Sequence, residues 1–197
     1  MVVIGLTGGI ATGKSEASRI LEELGATLIN ADLIGHEAYK QGSVGWESVV
    51  QAFGKGILDE SNEIDRTKLG TIVFADKDQL EILNGIMHPI MEQLVDERIH
   101  EFKAMGLHVI IVEAALMFEA GWDKLVDIVW VTDAPQEIVV ERLLQRNGFD
   151  KDESEKRINS QMARHLRLGK ADLVLTNNGD LNDFKNGILN AWETLTR

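Results

Sequence analysis

Gly8-Gly9-Ile10-Ala11-Thr12-Gly13-Lys14-Ser15, directly behind the apolar stretch Val2-Val3-Ile4-Gly5-Leu6, decides how this chain is read. The run fits G-x-x-x-x-G-K-[ST], a loop whose backbone N–H groups cradle phosphate. Its glycines permit positive φ and let successive amides approach phosphate oxygens. Lys14 offers a point charge to the β- and γ-phosphates, and Ser15 a hydroxyl for Mg²⁺. Such a loop needs a buried strand before it and a helix after it. Residues 2–6 are apolar, and Ala17, Ile20, Leu21 and Leu24 recur at helical spacing. A helix starting there turns its positive end toward the same anion. The expectation is a nucleotide triphosphate site.

The rest of the composition narrows what surrounds it. With 197 residues and 44% hydrophobic content, one globular core with small appended lobes is expected. No stretch reads as a signal peptide, and the apolar run around 109–118 is interrupted by Glu113 and too short to span a bilayer. The chain has no cysteine, which excludes disulfides and thiolate metal sites and fits a cytoplasmic location. A net charge of −12 argues against nucleic acid and anionic membrane as partners. The charge is uneven: between Arg142 and Lys170 eight basic residues face four acidic ones, so this segment carries +4 and the remainder −16. It is either a lid over the nucleotide or a solvated helical face.

Apolar runs at 2–6, 27–30, 108–112, 128–132 and 173–176 read as buried parallel strands, with helical patterns between most of them. That alternation predicts a doubly wound α/β core. Pro135 marks a helix start for 136–147, and 181–195 reads as a closing amphipathic helix. Residues 45–106 show helical periodicity without a clear strand, an inserted lobe expected to break at Gly54–Gly56 and again near His88-Pro89.

Beyond the loop, Asp32 sits just past the second strand, on the sheet edge where α/β proteins bind ligands. Its carboxylate could take a proton from an attacking hydroxyl or hold a metal-bound water. It could equally cap a short helix over 33–39. Val109-Ile110-Ile111-Val112-Glu113 is an apolar strand ending in an acid, so Glu113 is a candidate to hold Mg²⁺ through water or to act as a cap. Arg142 and Arg146 share one face of a helix, as do Arg157, Gln161 and Arg164, and paired guanidiniums suit phosphate. Five histidines, at 36, 88, 100, 108 and 165, show no metal-ligand spacing.

Collected in order, these segments resemble the dephospho-coenzyme A kinase family. The resemblance rests on IGLTGGIATGKS (4–15), INADLIGHEA (29–38), FGKGIL (53–58), DRTKLGTIVF (65–74) and LNGIMHPIM (83–91). It continues through VIIVEAALMFE (109–119), ERLLQRNG (141–148), NSQMARHLRLGKAD (159–172) and DLVLTNNG (172–179). It implies a P-loop kinase-like α/β fold: a doubly wound parallel sheet of about five strands, with a helical substrate lobe and a lid. The core would cover about 1–40, 107–147 and 171–197, the lobe about 41–106 and the lid about 148–170. The implied activity is transfer of the ATP γ-phosphoryl to the ribose 3′-hydroxyl of dephospho-coenzyme A. ATP and Mg²⁺ would be the cofactors, with no obligate protein partner. The alternatives are a nucleoside or nucleoside monophosphate kinase of the same architecture, or a nucleotide-gated switch. A guanine-reading switch would carry N-K-x-D, which the sequence lacks.

By position the resemblance makes Asp32 the general base, with Lys14 and Arg146 completing the catalytic set. It assigns ATP to Gly9, Ala11, Thr12, Gly13, Lys14, Ser15, Glu16, Arg142 and Arg146. Dephospho-coenzyme A falls to Asp32, His88, Leu116, Glu119 and Gln161, and Mg²⁺ to Ser15. Of the two lid-side arginines, Arg146 is the one expected on the triphosphate. Four positions depart from the family pattern. Ala11 replaces a common Gly, which leaves the cradle unchanged if its φ is negative. Glu16 replaces a Thr and brings negative charge toward the phosphates. Asn30 replaces an acid, leaving Asp32 the only one of its triplet, and Ala115 replaces a Pro.

Overall fold

In the computed structural model, which describes residues 1–196, β1 (Val2–Gly8) occupies the middle of a five-stranded sheet. Its residues from Val3 to Gly8 are all buried, as an apolar strand covered on both faces should be. The chain leaves β1 through the phosphate loop into α1 (Lys14–Glu23) and returns as β2 (Thr27–Asn30). The later strands are β3 (Val109–Glu113), β4 (Ile128–Asp133) and β5 (Leu173–Thr176), in the spatial order β2-β3-β1-β4-β5. β1 pairs in parallel with β3 and β4, and β4 with β5. The chain order reverses at β1, so the loop leaving it emerges between the carboxyl ends of β3 and β4. That is where an open α/β sheet has its ligand crevice.

Helices cover both faces. Ile4 and Leu6 pack with Ala17, Ile20 and Leu21 of α1 and with Phe184 and Ile188 of α9 (Leu181–Thr196). A second cluster centres on Val139 and Leu143 of α6 (Gln136–Asn147), with Ile10, Ala11, Phe149 and Ile158 packed against it. A larger residue at Gly5 would have to displace the Met117 side chain, because a Cβ there would come within 2.9 Å of both its Sδ and Cε.

The chain divides into two compact units, residues 1–29 with 101–197, and residues 30–100. The second contains α2 (Ala31–Ala38), α3 (Val44–Phe53), α4 (Arg66–Ala75) and most of α5 (Lys77–Ala104). Its own core joins Ala38, Val49, Ile57, Ile64, Leu69, Val73, Leu83 and Met87. The helical unit thus opens at Asn30, where the sequence places the lobe's start near 41. Residues 148–170 group with the sheet unit as α7 (Lys151–Asn159) and α8 (Arg164–Leu168).

The expected break at Gly54 is present, with Gly54 at φ +78 closing α3. The one expected near His88-Pro89 is absent, since α5 runs unbroken for 28 residues with Pro89 inside it. A mid-helix proline costs about 3 kcal/mol locally. Leu83 and Met87 before it, and Val95 and Ile99 after it, are buried at helical spacing and hold the axis through it. The interruption falls instead at Asp76, whose extended backbone (φ −140, ψ 118) separates α4 from α5.

Candidate active site

Two residues of the loop, Gly13 and Ala11, have a conformation that sequence alone does not reveal. Gly13 sits at φ +105 immediately before α1 and provides no side-chain cap to it. The first N–H groups of α1 are therefore left for an anion, with Lys14 and Ser15 as its opening residues. Gly9 lies against Arg167, whose Nη2 would stand 2.8 Å from any Cβ placed there. Ala11 sits at φ +58, contrary to the negative φ under which the alanine would be harmless. The left-handed region costs a non-glycine residue roughly 1–2 kcal/mol, which is why glycine suits this position.

The loop is gripped from behind by residues of β4 and α6 and of the segments just after α7 and β5. Thr12 Oγ1 donates to the Gly9 carbonyl at 2.8 Å and shares a 2.8 Å hydrogen bond with the Thr132 hydroxyl at the end of β4. Asn177, just past β5, donates from Nδ2 to the Thr12 carbonyl at 3.0 Å. Arg142 of α6 donates from Nη1 to the Ala11 carbonyl at 3.0 Å and from Nη2 to Asn177 Oδ1 at 2.8 Å. Gln161 Oε1 accepts from the Ile10 N–H at 2.8 Å. Glu119 Oε1 accepts from the next amide, Met162 N, at 3.0 Å, and Arg167 donates to the Met162 carbonyl at 3.1 Å. Of the residues that the resemblance assigns to the acceptor, Gln161 is bonded to the phosphate loop and Glu119 to Met162, the residue after Gln161. Leu116, after β3, is exposed.

Charge is organised in the same way. Glu113 ends β3 opposite Leu6 and is buried; its Oε1 lies 2.5 Å from Lys14 Nζ, and its Oε2 accepts from Ser18 Oγ at 2.6 Å. Glu16, feared as a stray charge, is bound by Arg19 through Nε at 3.1 Å and Nη2 at 2.6 Å. That bonding holds its carboxyl below the usual range. Arg164 makes a bidentate pair with Asp133, at 2.7 and 2.5 Å, which raises its pKa, while burial lowers that of Arg167. Arg146, expected on the triphosphate, is exposed and donates to its neighbour Asn147 at 3.1 Å. Much of the +4 segment is internally matched, through Lys151–Glu155 and Arg157–Glu153, with Arg157 stacked 4.1 Å above the Phe149 ring.

In the helical unit, the cap of α2 is not Asp32. α2 begins at Ala31, and its cap is Asn30, whose Oδ1 accepts from Leu33 N at 3.1 Å. Asp32 is an exposed residue of the first turn and does not cap the helix. His88 is half-buried on α5, and burial lowers its pKa.

Comparison with known proteins agrees with this construction. The family described as dephospho-CoA kinase matches residues 2–183. The chain belongs to that family. A dephospho-CoA kinase from Carboxydothermus hydrogenoformans is 42% identical over 95% of this chain and 91% of its own. One from Geobacter sulfurreducens is 41% identical over 98% of each. The structure of the dephospho-CoA kinase from Campylobacter jejuni superposes with a TM-score of 0.75 at 29% identity, covering 98% of this chain and 96% of its own. This is a P-loop kinase fold, and the family uses ATP.

Arg167, Asn177 and Ser18 escape sequence reasoning as single residues. A signal for Asn177 exists in its place directly after an apolar strand, within the quoted TNNG. Ser18 and Arg167 carry none that a single chain reveals.

Proposed function

We propose that this protein transfers the γ-phosphoryl of ATP to the ribose 3′-hydroxyl of dephospho-coenzyme A, releasing ADP and coenzyme A. The observation that carries the reading is the family match across residues 2–183, which takes in both the phosphate loop and the helical unit. ATP binds the loop of the sheet unit. There the N–H groups opening α1 and the Lys14 ammonium neutralise phosphate charge, in a loop held rigid by Arg142, Asn177 and Gln161. The acceptor belongs to the helical unit, where the Asp32 carboxylate takes the proton from the 3′-hydroxyl as that oxygen attacks phosphorus.

Mg²⁺ fits the donors present. The Ser15 hydroxyl is exposed and makes no hydrogen bond among the described residues. No cluster of three or more acidic or histidine ligands exists among them either, as expected for an ion bound mainly by phosphate and water. Both Glu113 oxygens are engaged, so Ser15 would hold the ion directly and Glu113 would act through water. Bound there, Mg²⁺ would draw charge from the β- and γ-phosphate oxygens. No helix among the described residues is long and apolar enough to cross a membrane. We place the enzyme in the cytoplasm, with ATP and its acceptor.

ADP release over an acceptor panel tests the reading: turnover with dephospho-coenzyme A, little with AMP, CMP, UMP or adenosine, and the new phosphate found at the ribose 3′ position. Turnover of a nucleoside monophosphate with none on dephospho-coenzyme A would overturn it. Asp32→Asn should lower turnover on the order of 10²–10⁴-fold with ATP binding intact. Near-native turnover in that variant would remove Asp32 from the chemistry.

A further inference from the structure

One cation of the helical unit has no assigned work. Arg66, the first residue of α4, is exposed, and among the described residues no carboxylate lies within ion-pair distance of it. The acid next to it is already engaged: Asp65 accepts from Thr67 N at 2.9 Å and Lys68 N at 3.1 Å, and pairs with Lys68 Nζ at 3.7 Å. A positive charge in the first turn of a helix is opposed by the helix dipole, so α4 gives Arg66 no electrostatic reason to be there. What positions it is an aromatic face, since its guanidinium stands 5.3 Å from the centroid of the Tyr39 ring. Stacking leaves the edge of the guanidinium, with its forked N–H donors, open to a planar pair of oxygens.

Tyr39 connects this arginine to the proposed base. It is the helical C-cap residue of α2, seven positions after Asp32. Seven residues bring a helix back to the same face about 10 Å farther along its axis. His36, four after Asp32, falls on that face too. Asp32 and His36 are exposed and Tyr39 half-buried, whereas Ala31, Ile34, Gly35 and Ala38 form the buried face. α2 therefore presents a polar stripe with a carboxylate at one end, an imidazole in the middle and a ring-mounted guanidinium at the other.

We propose that Arg66, mounted on Tyr39, grips the 5′-diphosphate of the acceptor while Asp32 addresses its 3′-hydroxyl, with α2 setting the separation between them. The inference rests on the reading of Asp32 and dephospho-coenzyme A given above. A ribose carries its 3′-hydroxyl and 5′-diphosphate on opposite sides of one ring, a span of the same order as the stripe. The arginine thereby selects an acceptor with a diphosphate over a bare nucleoside, and its fork matches two phosphate oxygens at once.

The test is a comparison of wild type, Arg66→Ala, Arg66→Lys and Tyr39→Phe by direct calorimetric binding of dephospho-coenzyme A and by steady-state kinetics. Arg66→Ala should raise the Kd and KM for dephospho-coenzyme A at least about tenfold, with kcat and the KM for ATP nearly unchanged. Arg66→Lys, which keeps the charge without the fork, should fall between, and Tyr39→Phe, which keeps the ring, should match wild type. The slow rate with adenosine should be the same in all four proteins. If Arg66→Ala does not fold, Arg66→Lys carries the comparison. An unchanged Kd for dephospho-coenzyme A in the arginine variants overturns the assignment, as does a KM for ATP that rises in parallel. A wild type that binds no dephospho-coenzyme A overturns the functional reading itself, a separate and recognisable result.

Discussion

Replacing Arg142 and Arg146 in turn separates the two arginines that share a face of α6. Arg142→Ala removes two charge-assisted hydrogen bonds, to the Ala11 carbonyl at 3.0 Å and to Asn177 Oδ1 at 2.8 Å. Hydrogen bonds to charged groups contribute about 1.5–3 kcal/mol each, and a half-buried site places both near the lower end. A loss of about 3 kcal/mol corresponds to a fall of roughly 6–12 °C in Tm for a chain of this size. The damage is also local, because the carbonyl released belongs to Ala11, held in a left-handed conformation that costs roughly 1–2 kcal/mol. Freed of its anchor, the loop relaxes and its amides lose their aim, so ATP should bind at least about tenfold more weakly.

Arg146→Ala removes one bond, from an exposed side chain to the adjacent Asn147. Exposed substitutions of that kind stay within about 0.5 kcal/mol, or 1–2 °C here. Arg142→Lys adds a third arm, since one ammonium cannot span both acceptors as a fork does. Thermal melts with and without ATP, together with the KM for ATP, measure all three variants. A silent Arg142→Ala, or an Arg146→Ala with the larger effect on ATP, would refute the reasoning and return the triphosphate to Arg146.

Asn30→Ala removes the α2 cap and should cost about 1 kcal/mol, lowering Tm by a few degrees while Asp32 stays in place; an unchanged Tm would mean that the cap contributes nothing. Ala11→Gly relieves the strained φ but loosens the unfolded chain and loses a partly buried methyl, leaving a net gain of about 0.5 kcal/mol, whereas a clear loss of Tm would contradict the strain. Burial holds His88 below its ordinary 6.5, so the unfolded chain takes the proton first. Its contribution is complete above that value and is lost as pH falls toward the lowered one. Melts from about pH 8 to about pH 5 should show His88→Gln losing less stability than wild type, and parallel curves would exclude the effect.

What was legible in the sequence followed period and punctuation. All five strands fall within a residue or two of the apolar runs that announce them, and α6 spans 136–147 as expected from Pro135 as its start. Pro89 misleads because a local cost of about 3 kcal/mol is outweighed by burial on both sides, and burial depends on residues far away in the chain. The loop itself is unmistakable, but the residues that grip it lie between 132 and 177, brought to it by a sheet order in which β1 stands between β3 and β4. No spacing along the chain encodes that adjacency.

Asp32 shows most clearly how much one neighbour can decide. Read alone, an acid just past a strand is as good a cap as a base, because both roles need an exposed carboxylate at a helix start. The departure of Asn30 from the family's acidic triplet looked like a loss. In the fold Asn30 takes the capping role with its own Oδ1, 3.1 Å from Leu33 N, and its C=O opens the helix two residues earlier than Asp32 would have done. The cap of α2 is thus not the work of Asp32. Asp32→Asn therefore leaves the cap of α2 in place, because the hydrogen bond that starts the helix belongs to a different residue.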